Sequence, residues 1–387
     1  PLMRTYLRHL DYMMLATALA ITAYGLWILR NATRNDIPGD PTYYYNRQLA
    51  YAVVGIAGML LISLVPPRLL RRINPLLYLF VVLSTMVVLV IGTSVQGGQR
   101  WINLGVFQFQ PSELGKLLLI VGLAAWLGNR RNEWSPARLT LGALAYMALP
   151  ALLVFAEPDF GTALVYAAVT LGMLFVLGAP WRHFAWLGLG FVVALAMVFS
   201  IMPGLGIPII KQYQMDRLTA FLHPSSSNIQ GDGYHITQSM IAVGHGGVGG
   251  TGYAGATQTR LNYLPEHATD FIFSVVGEER GFVGAIWLLG LYALLIWRGL
   301  KVITISRSTF GSLVAAGIVS MLVFQIFINI GMTIGVAPIT GIPLPFMSFG
   351  GTHTITNLFA IGVLQAIHVD AYRRAEPRLG GRGPAYG

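Results

Sequence analysis

FGSLVAAGIVSMLVFQIFINIGMTI, residues 310–334, carries no charged side chain over twenty-five positions. Wound as an α-helix at about 1.5 Å per residue it is longer than the ~30 Å hydrocarbon core of a bilayer. Nothing in it alternates with period two, and it is too long and too apolar for the core of a small domain. It reads as a membrane span, and the neighbouring sequence repeats the pattern. Charge-free runs occupy roughly 12–29, 48–65, 76–93, 139–156, 160–177, 184–202, 281–297 and 352–367, with a shorter run at 114–127 that carries Lys116. The expected fold is an all-α polytopic membrane protein of about ten transmembrane helices. Residues 1–372 make one membrane domain, with a long outer loop at about 203–269 between the seventh and eighth helices. The Gly-, Pro- and Arg-rich tail 373–387 is expected to be disordered.

Composition agrees. Of 387 residues 55% are hydrophobic and 10% charged, whereas soluble domains hold about 25% charged residues. There is no cysteine, so thiolate, disulfide and zinc–sulfur chemistry are excluded. The net charge of +10 has a topological explanation. With an even number of spans both termini share a side, and sixteen Lys and Arg, from Arg4 and Arg8 to Arg378 and Arg382, then fall on that side. Short loops of the other side hold only Arg30, Arg34, Arg47 and Arg100. Basic loops stay cytoplasmic, so both termini are expected in the cytoplasm and the long loop outside. No interleaving of basic and aromatic residues points to nucleic acid. The first run follows Arg4 and Arg8 without a small-residue cleavage site, and is expected to remain as the first helix.

Acidic residues are scarce, so each one near the membrane needs a reason. Arg100-Trp101-Ile102-Asn103 leads to Gln110-Pro111-Ser112-Glu113 and on to Lys116. Glu113 and Lys116, three residues apart, share a helix face. One reading makes Glu113 a helix-start residue and Lys116 a snorkelling lysine; the other keeps Lys116 in a wet or paired interior, because an ammonium inside lipid is costly. Glu157-Pro158-Asp159 forms the turn before the sixth span. Asp159 is either an N-cap or, the favoured expectation, the buried partner of Lys116.

The long loop contains Met215-Asp216-Arg217, then GYHITQS (233–239, with Gln238), a glycine-rich run from Gly244 to Gly255, Arg260, and His267-Ala268-Thr269-Asp270. No Gly-Lys-Ser/Thr follows the glycines, so they are not a phosphate-binding loop. His235, His245 and His267 lack zinc spacing. Asp270, just before an apolar run, is as readily a helix N-cap as a reactive group. Glu278, Glu279 and Arg280 interrupt that run and cannot share one face; the span proper is expected from 281.

At these residues the chain resembles a known family. FQPSELGK, EPDFGTA, YQMDRL, GYHITQS, YLPEHATDFIFSVVGEE and GIPLPFMSFGG resemble, in order, the signature segments of the SEDS (shape, elongation, division and sporulation) proteins, across essentially the whole membrane portion. GYHI and GATQ are more similar to the elongation member than to the division member. The resemblance implies a peptidoglycan glycosyltransferase that polymerises lipid II, an undecaprenyl-diphosphate disaccharide-pentapeptide, into β-1,4 glycan at the outer face of the bacterial plasma membrane. It implies a class B penicillin-binding protein transpeptidase and other elongation-complex proteins as partners, and Asp270 as the catalytic carboxylate and general base. One departure stands out: many members have His directly before Thr-Asp, whereas Ala268 intervenes here, which weakens a direct role for His267. Lys116, Arg217, Arg100 and Arg260 are candidates to hold the diphosphate, with Asp159, Glu113, Gln238 and His267 as further substrate-binding candidates. A magnesium ion could travel with the diphosphate; no protein ligands for a metal are identifiable. A lipid-precursor flippase and a non-catalytic scaffold for a transpeptidase are the alternatives. A transporter needs polar sites open to both faces and should tolerate Asp270→Asn, whereas the candidates here gather on the outer side.

Overall fold

The computed structural model describes residues 6–95, 98–103, 105, 107–197 and 232–374. Arg217 and most of the expected tail lie outside them. Helices α1 (Tyr12–Ala32), α2 (Tyr43–Ser63), the short α3 (Pro67–Arg72) and α4 (Asn74–Ile91) lead into strands β1 (Thr93–Val95), β2 (Gly98–Asn103) and β3 (Gln108–Phe109). These form a small antiparallel sheet in the order β1-β2-β3. Then come α5 (Pro111–Arg130), α6 (Pro136–Ala156), α7 (Phe160–Leu177), α8 (Trp181–Ala196), α9 (Asp232–His245), the single turns α10 (Gly252–Gly255) and α11 (Thr257–Arg260), α12 (Ile272–Ile305), α13 (Thr309–Thr333) and α14 (Gly351–Arg373).

Among the described residues nine helices are long and apolar enough to cross a membrane: α1, α2, α4, α5, α6, α7, α12, α13 and α14. The remaining expected span, 184–202, begins as α8; its last residues lie outside the description. Helices α5, α13 and α14 form the centre, with 83% of the α14 span buried against 17% for the peripheral α4. Small residues let the centre close up, as they must where lipid supplies no hydrophobic drive between helices. A methyl added at Gly362 would meet the Met59 carbonyl at 2.5 Å, so α14 lies directly on the α2 backbone.

One end of the bundle holds both ends of the described chain. Asp11, the N-cap of α1, accepts from Arg298 Nε at 2.8 Å on α12. Its backbone N–H and carbonyl pair with the Gln365 amide on α14 at 3.0 and 2.8 Å.

The described part of the expected outer loop is built into the protein. Helix α9 sinks Ile236 and Ser239 against α12 and α13; Ser239 Oγ donates to the Thr333 carbonyl at 2.7 Å and accepts from Ser274 Oγ at 2.6 Å. The glycine-rich run then closes over a break in α12. At Gly281 the backbone turns to φ 63°, ψ −161°, a region essentially reserved for glycine. The break strips helical acceptors from the next two amides, and the run replaces them: Phe282 N donates to the Gly247 carbonyl at 2.9 Å and Val283 N to the Val248 carbonyl at 3.1 Å. The expectation of a span beginning at 281 matches this break. The preceding turns differ from an outer-leaflet extension, since 272–279 is buried in protein. Glu278 accepts from Gln258 N, Thr259 N and Thr259 Oγ1 at 2.7–3.0 Å, Glu279 accepts from Asn31 Nδ2 at 3.3 Å, and Arg280 lies 3.8 Å over the Trp27 ring. The three faces they occupy tie α12 to α11, to the α1 end and to the α1 flank.

Gly281→Ala should lower stability by at least about 1–3 kcal/mol through backbone strain alone. The added methyl would also stand 2.3 Å from Gly250 N. Thermal unfolding in detergent checks this against Gly290→Ala in the same helix, where nothing lies within 4 Å and little change is expected.

Candidate active site

Asp270 is not a helix cap. Helix α12 starts at Ile272, its N-cap is Phe271, and no side chain caps it. The Asp270 carboxylate instead faces the segment between α13 and α14: a methyl added at Gly341 would sit 3.5 Å from Asp270 Oδ2. Three consecutive carbonyls fix the backbone there. Phe349 N donates to the Ala268 carbonyl at 2.9 Å, Ser348 Oγ to that of Thr269 at 2.6 Å, and Asn329 Nδ2 to that of Asp270 at 2.8 Å. The same Asn329 amide donates to the Ile342 carbonyl at 2.8 Å, binding both sides of the Asp270–Gly341 contact. Ser348 Oγ also accepts from Leu344 N at 2.8 Å, and Gln48 on α2 bonds the Ser348 carbonyl and Gly350 N at 3.1 Å each. GIPLPFMSFG, residues 341–350, is therefore a non-helical strap that holds the carboxylate's backbone.

Lys116 is 2% exposed, so it does not snorkel. Its ammonium donates to Glu113 Oε1 at 2.6 Å. Glu113 Oε2 faces His353 Nδ1 at 2.9 Å, which bridges α5 to α14. The expected Lys116–Asp159 pair is corrected by this: Glu113, one turn away on the same helix, takes the ammonium. Asp159 caps α7 by accepting from Thr162 N at 3.1 Å, and its other oxygen accepts from Gln110 Nε2 at 3.3 Å. A carboxylate beside free amide donors of a helix start is already satisfied locally. These groups border the strap. Gly161, two residues after Asp159, approaches so closely that a methyl there would meet the Thr340 carbonyl at 2.7 Å and Ile342 at 2.8 Å.

Arg100 is committed to the turn before α7, donating to the Glu157 carbonyl at 3.1 Å and to that of Pro158. Glu157 itself is 1% exposed, and neither carboxylate oxygen has a hydrogen-bond partner. Burial and the Asp159 charge push its pKa up to about 8, with Arg100 pulling the other way. His267 is buried; Nδ1 donates to the Leu264 carbonyl at 2.9 Å and Nε2 lies 3.2 Å from Asp36 Oδ2. Burial opposes its charged form, but the Asp36 carboxylate outweighs burial and the net shift is upward. Gln238 on α9 and Arg260 at the end of α11 are half-buried. Among the described residues no three His, Asp or Glu side chains converge as a metal site.

His353, Gln110, Asp36, Asn329 and Ser348 escape the reading of the sequence. An imidazole at the start of an apolar run is a signal for His353, since ionisable groups in spans are costly. The others bond mostly to backbone or to residues far away in the chain, which leaves no local pattern.

A family model described as "cell cycle protein", for FtsW, RodA and SpoVE, matches residues 11–373. The peptidoglycan glycosyltransferase MrdB of Escherichia coli (strain K12) is 37% identical over 361 residues, 93% of this chain and 94% of that protein. Stage V sporulation protein E of Bacillus subtilis (strain 168) is 35% identical over 374 residues, covering 94% and 98%. A chain from a study described as "structural coordination of polymerization and crosslinking by a peptidoglycan synthase complex" superimposes with a TM-score of 0.79 at 30% identity, covering 94% of this chain and 99% of that one. The Thermus thermophilus rod shape determining protein RodA superimposes with a TM-score of 0.69 at 28% identity, covering 94% and 98%.

Asn329→Ala leaves the Asp270 and Ile342 carbonyls without that donor and should cost about 1–3 kcal/mol, read as a fall in melting temperature. The His267–Asp36 pair carries a pH signature. A raised histidine pKa contributes stability that is fully present below the unfolded value and is lost as pH rises through the folded one. Asp36→Asn should therefore lower the melting temperature more at pH 5.5 than at pH 8.5; an equal loss at both would contradict the pairing.

Proposed function

Because the chain belongs to the FtsW/RodA/SpoVE family, we propose that it is a peptidoglycan glycosyltransferase polymerising lipid II at the outer face of the plasma membrane, with Asp270 as general base. The observation that carries the assignment of the base is the strap: it fixes the backbone of a carboxylate that caps no helix.

The chemistry asks for one well-placed carboxylate. The 4-hydroxyl of the acceptor sugar attacks the anomeric carbon of the donor; a C–O bond forms, the bond from that carbon to the lipid diphosphate breaks, and the hydroxyl proton passes to Asp270. Attack opposite the leaving group turns an α-linked donor into a β-1,4 product. The diphosphate leaves as a stable anion, so no second carboxyl need act as acid. Placing the base within hydrogen-bond reach of the hydroxyl is worth about 10²–10⁴-fold.

Cations serve the charge that develops on the diphosphate. Lys116 does so as part of a buried network with Glu113 and His353. Arg260, and in the sequence Arg217, are the further cations we assign to that charge. Arg100 acts by holding the Glu157–Asp159 turn, and Asp159 by starting α7 beside the strap. Gln238 offers an amide to the sugars, and His267 with Asp36 steadies the approach to Asp270. A magnesium ion, were one to travel with the diphosphate, would be held mainly by the diphosphate and would help neutralise its charge.

The likeness to a chain of a synthase complex that coordinates polymerisation and crosslinking supports a class B penicillin-binding protein as partner. The likeness to a rod shape determining protein supports work within the elongation machinery. The bundle end that holds Asp11, Arg298 and Gln365 is assigned to the cytoplasm, in keeping with its surplus of arginine.

Purified protein given labelled lipid II, with its transpeptidase partner present, should form glycan chains. Asp270→Ala and Asp270→Asn should each reduce polymer at least a hundredfold while the protein still unfolds in a cooperative thermal transition. Polymer formed at the wild-type rate by Asp270→Asn would remove the base, and a wild-type protein that moves lipid II across vesicles without polymerising it would make the chain a flippase.

A further inference from the structure

At the bundle end that carries the chain termini, a cleft of about 420 Å³ opens between the ends of α5, α7 and α12 and the start of α13. Two arginines from distant parts of the chain line it. Arg131 follows α5, and its Nη1 donates to Thr309 Oγ1 at 3.2 Å, which draws the guanidinium toward the first turn of α13. Arg307 stands in the turn between α12 and α13. The hydroxyls of Ser306 and Thr309 share the cleft, and its apolar wall is made by Leu177, Ile303 and Leu313. No carboxylate lines it.

Some arginines at this end have carboxylate partners, whereas the two in the cleft share it with none. Arg298 is paired with Asp11, and Arg374 with Asp370 at 2.7 Å. Among the described residues neither Arg131 nor Arg307 has a carboxylate within 4.0 Å. Two like charges in one cleft repel, and the positive end of α13, a helix of 25 residues, adds to the same sign. An anion relieves all three. A guanidinium fork fits phosphate oxygens in particular, by paired charge-assisted hydrogen bonds.

We propose that this cleft binds the phosphate headgroup of an anionic glycerophospholipid from the leaflet on the terminal side. The phosphodiester sits between Arg131 and Arg307, with the Thr309 and Ser306 hydroxyls in reach. The glycerol and first methylenes lie along Leu177, Ile303 and Leu313, at the level where these helices leave the hydrocarbon. A free phosphate would have no use for that wall, which is why a lipid is the favoured occupant. The site stands at the opposite end of the bundle from Asp270, so it is independent of the transferase reading.

Native mass spectrometry tests it on detergent-purified protein mixed with equal amounts of phosphatidylglycerol and phosphatidylethanolamine of the same acyl chains. The expected result is one phosphatidylglycerol retained in preference. The preference should fall about tenfold, a loss of about 1.4 kcal/mol, in the Arg131→Ala/Arg307→Ala double variant. Arg131→Lys/Arg307→Lys, which keeps the charge but loses the fork, should fall between. Arg68→Ala/Arg138→Ala, outside the cleft, should bind as wild type. Equal retention of the two lipids by wild type, or undiminished preference in the alanine variant, overturns the proposal. Displacement of the lipid by millimolar inorganic phosphate at low occupancy overturns the lipid assignment and leaves a soluble phosphate as the occupant.

Discussion

A backbone amide or carbonyl inside hydrocarbon has no water to turn to, so every departure from helix at membrane depth must find partners in the protein. Two such departures among the described residues are each answered from another part of the chain. At Gly281 the amides of Phe282 and Val283 are taken by the carbonyls of Gly247 and Val248. Around Asp270 the carbonyls of residues 268–270 are taken by the strap and by Asn329. The outer site exists because these two repairs are adjacent: α12 begins at one and breaks at the other, with the short buried stretch 272–279 between them. Remove either repair and the segment carrying Asp270 loses its reason to stay in place.

The same economy governs charge. An isolated ammonium at the centre of a span costs about 2.5–3.5 kcal/mol on insertion scales. Lys116 avoids that cost by contact with Glu113, and Glu113 is in turn shared with His353. A buried group with several partners is held in one geometry, whereas a snorkelling one is not. Glu157 is the contrast. It finds no hydrogen-bond donor and answers burial by an upward pKa shift to about 8, so near neutrality it holds its proton and adds no charge beside Asp159.

How much of this is legible in the sequence varies with the range of the interaction. The spans are plain because lipid demands long charge-free runs, and the i, i+3 spacing alone puts Glu113 and Lys116 on one face. The break at Gly281 is signalled by Glu278-Glu279-Arg280 interrupting an apolar run. The sequence misleads about the partner of Lys116, because two lone charges at neighbouring helix ends invite pairing. A first-turn amide and Gln110 are better matched to Asp159 than a distant ammonium is. The cap reading of Asp270 fails by a shift of one position, since Phe271 occupies the N-cap. Asn329 and Ser348 are invisible for a different reason. Their acceptors are carbonyls, which every residue has, so no residue type marks the contact.

The clamp on residues 268–270 also has an order in time. A chain is made from its N-terminus at about 5–20 residues per second. Asn329 lies 59 residues after Asp270, and Ser348 lies 79 after Thr269. Asp270 is therefore added to the chain roughly 4–16 s before the last of its holders, at those rates. Through that interval α12 can be inserted, but the carbonyls behind it have no strap to meet. Maturation of the site then waits on the final two helices, and a chain stopped before the strap would be a membrane protein with its spans largely in place and its carboxylate unaimed.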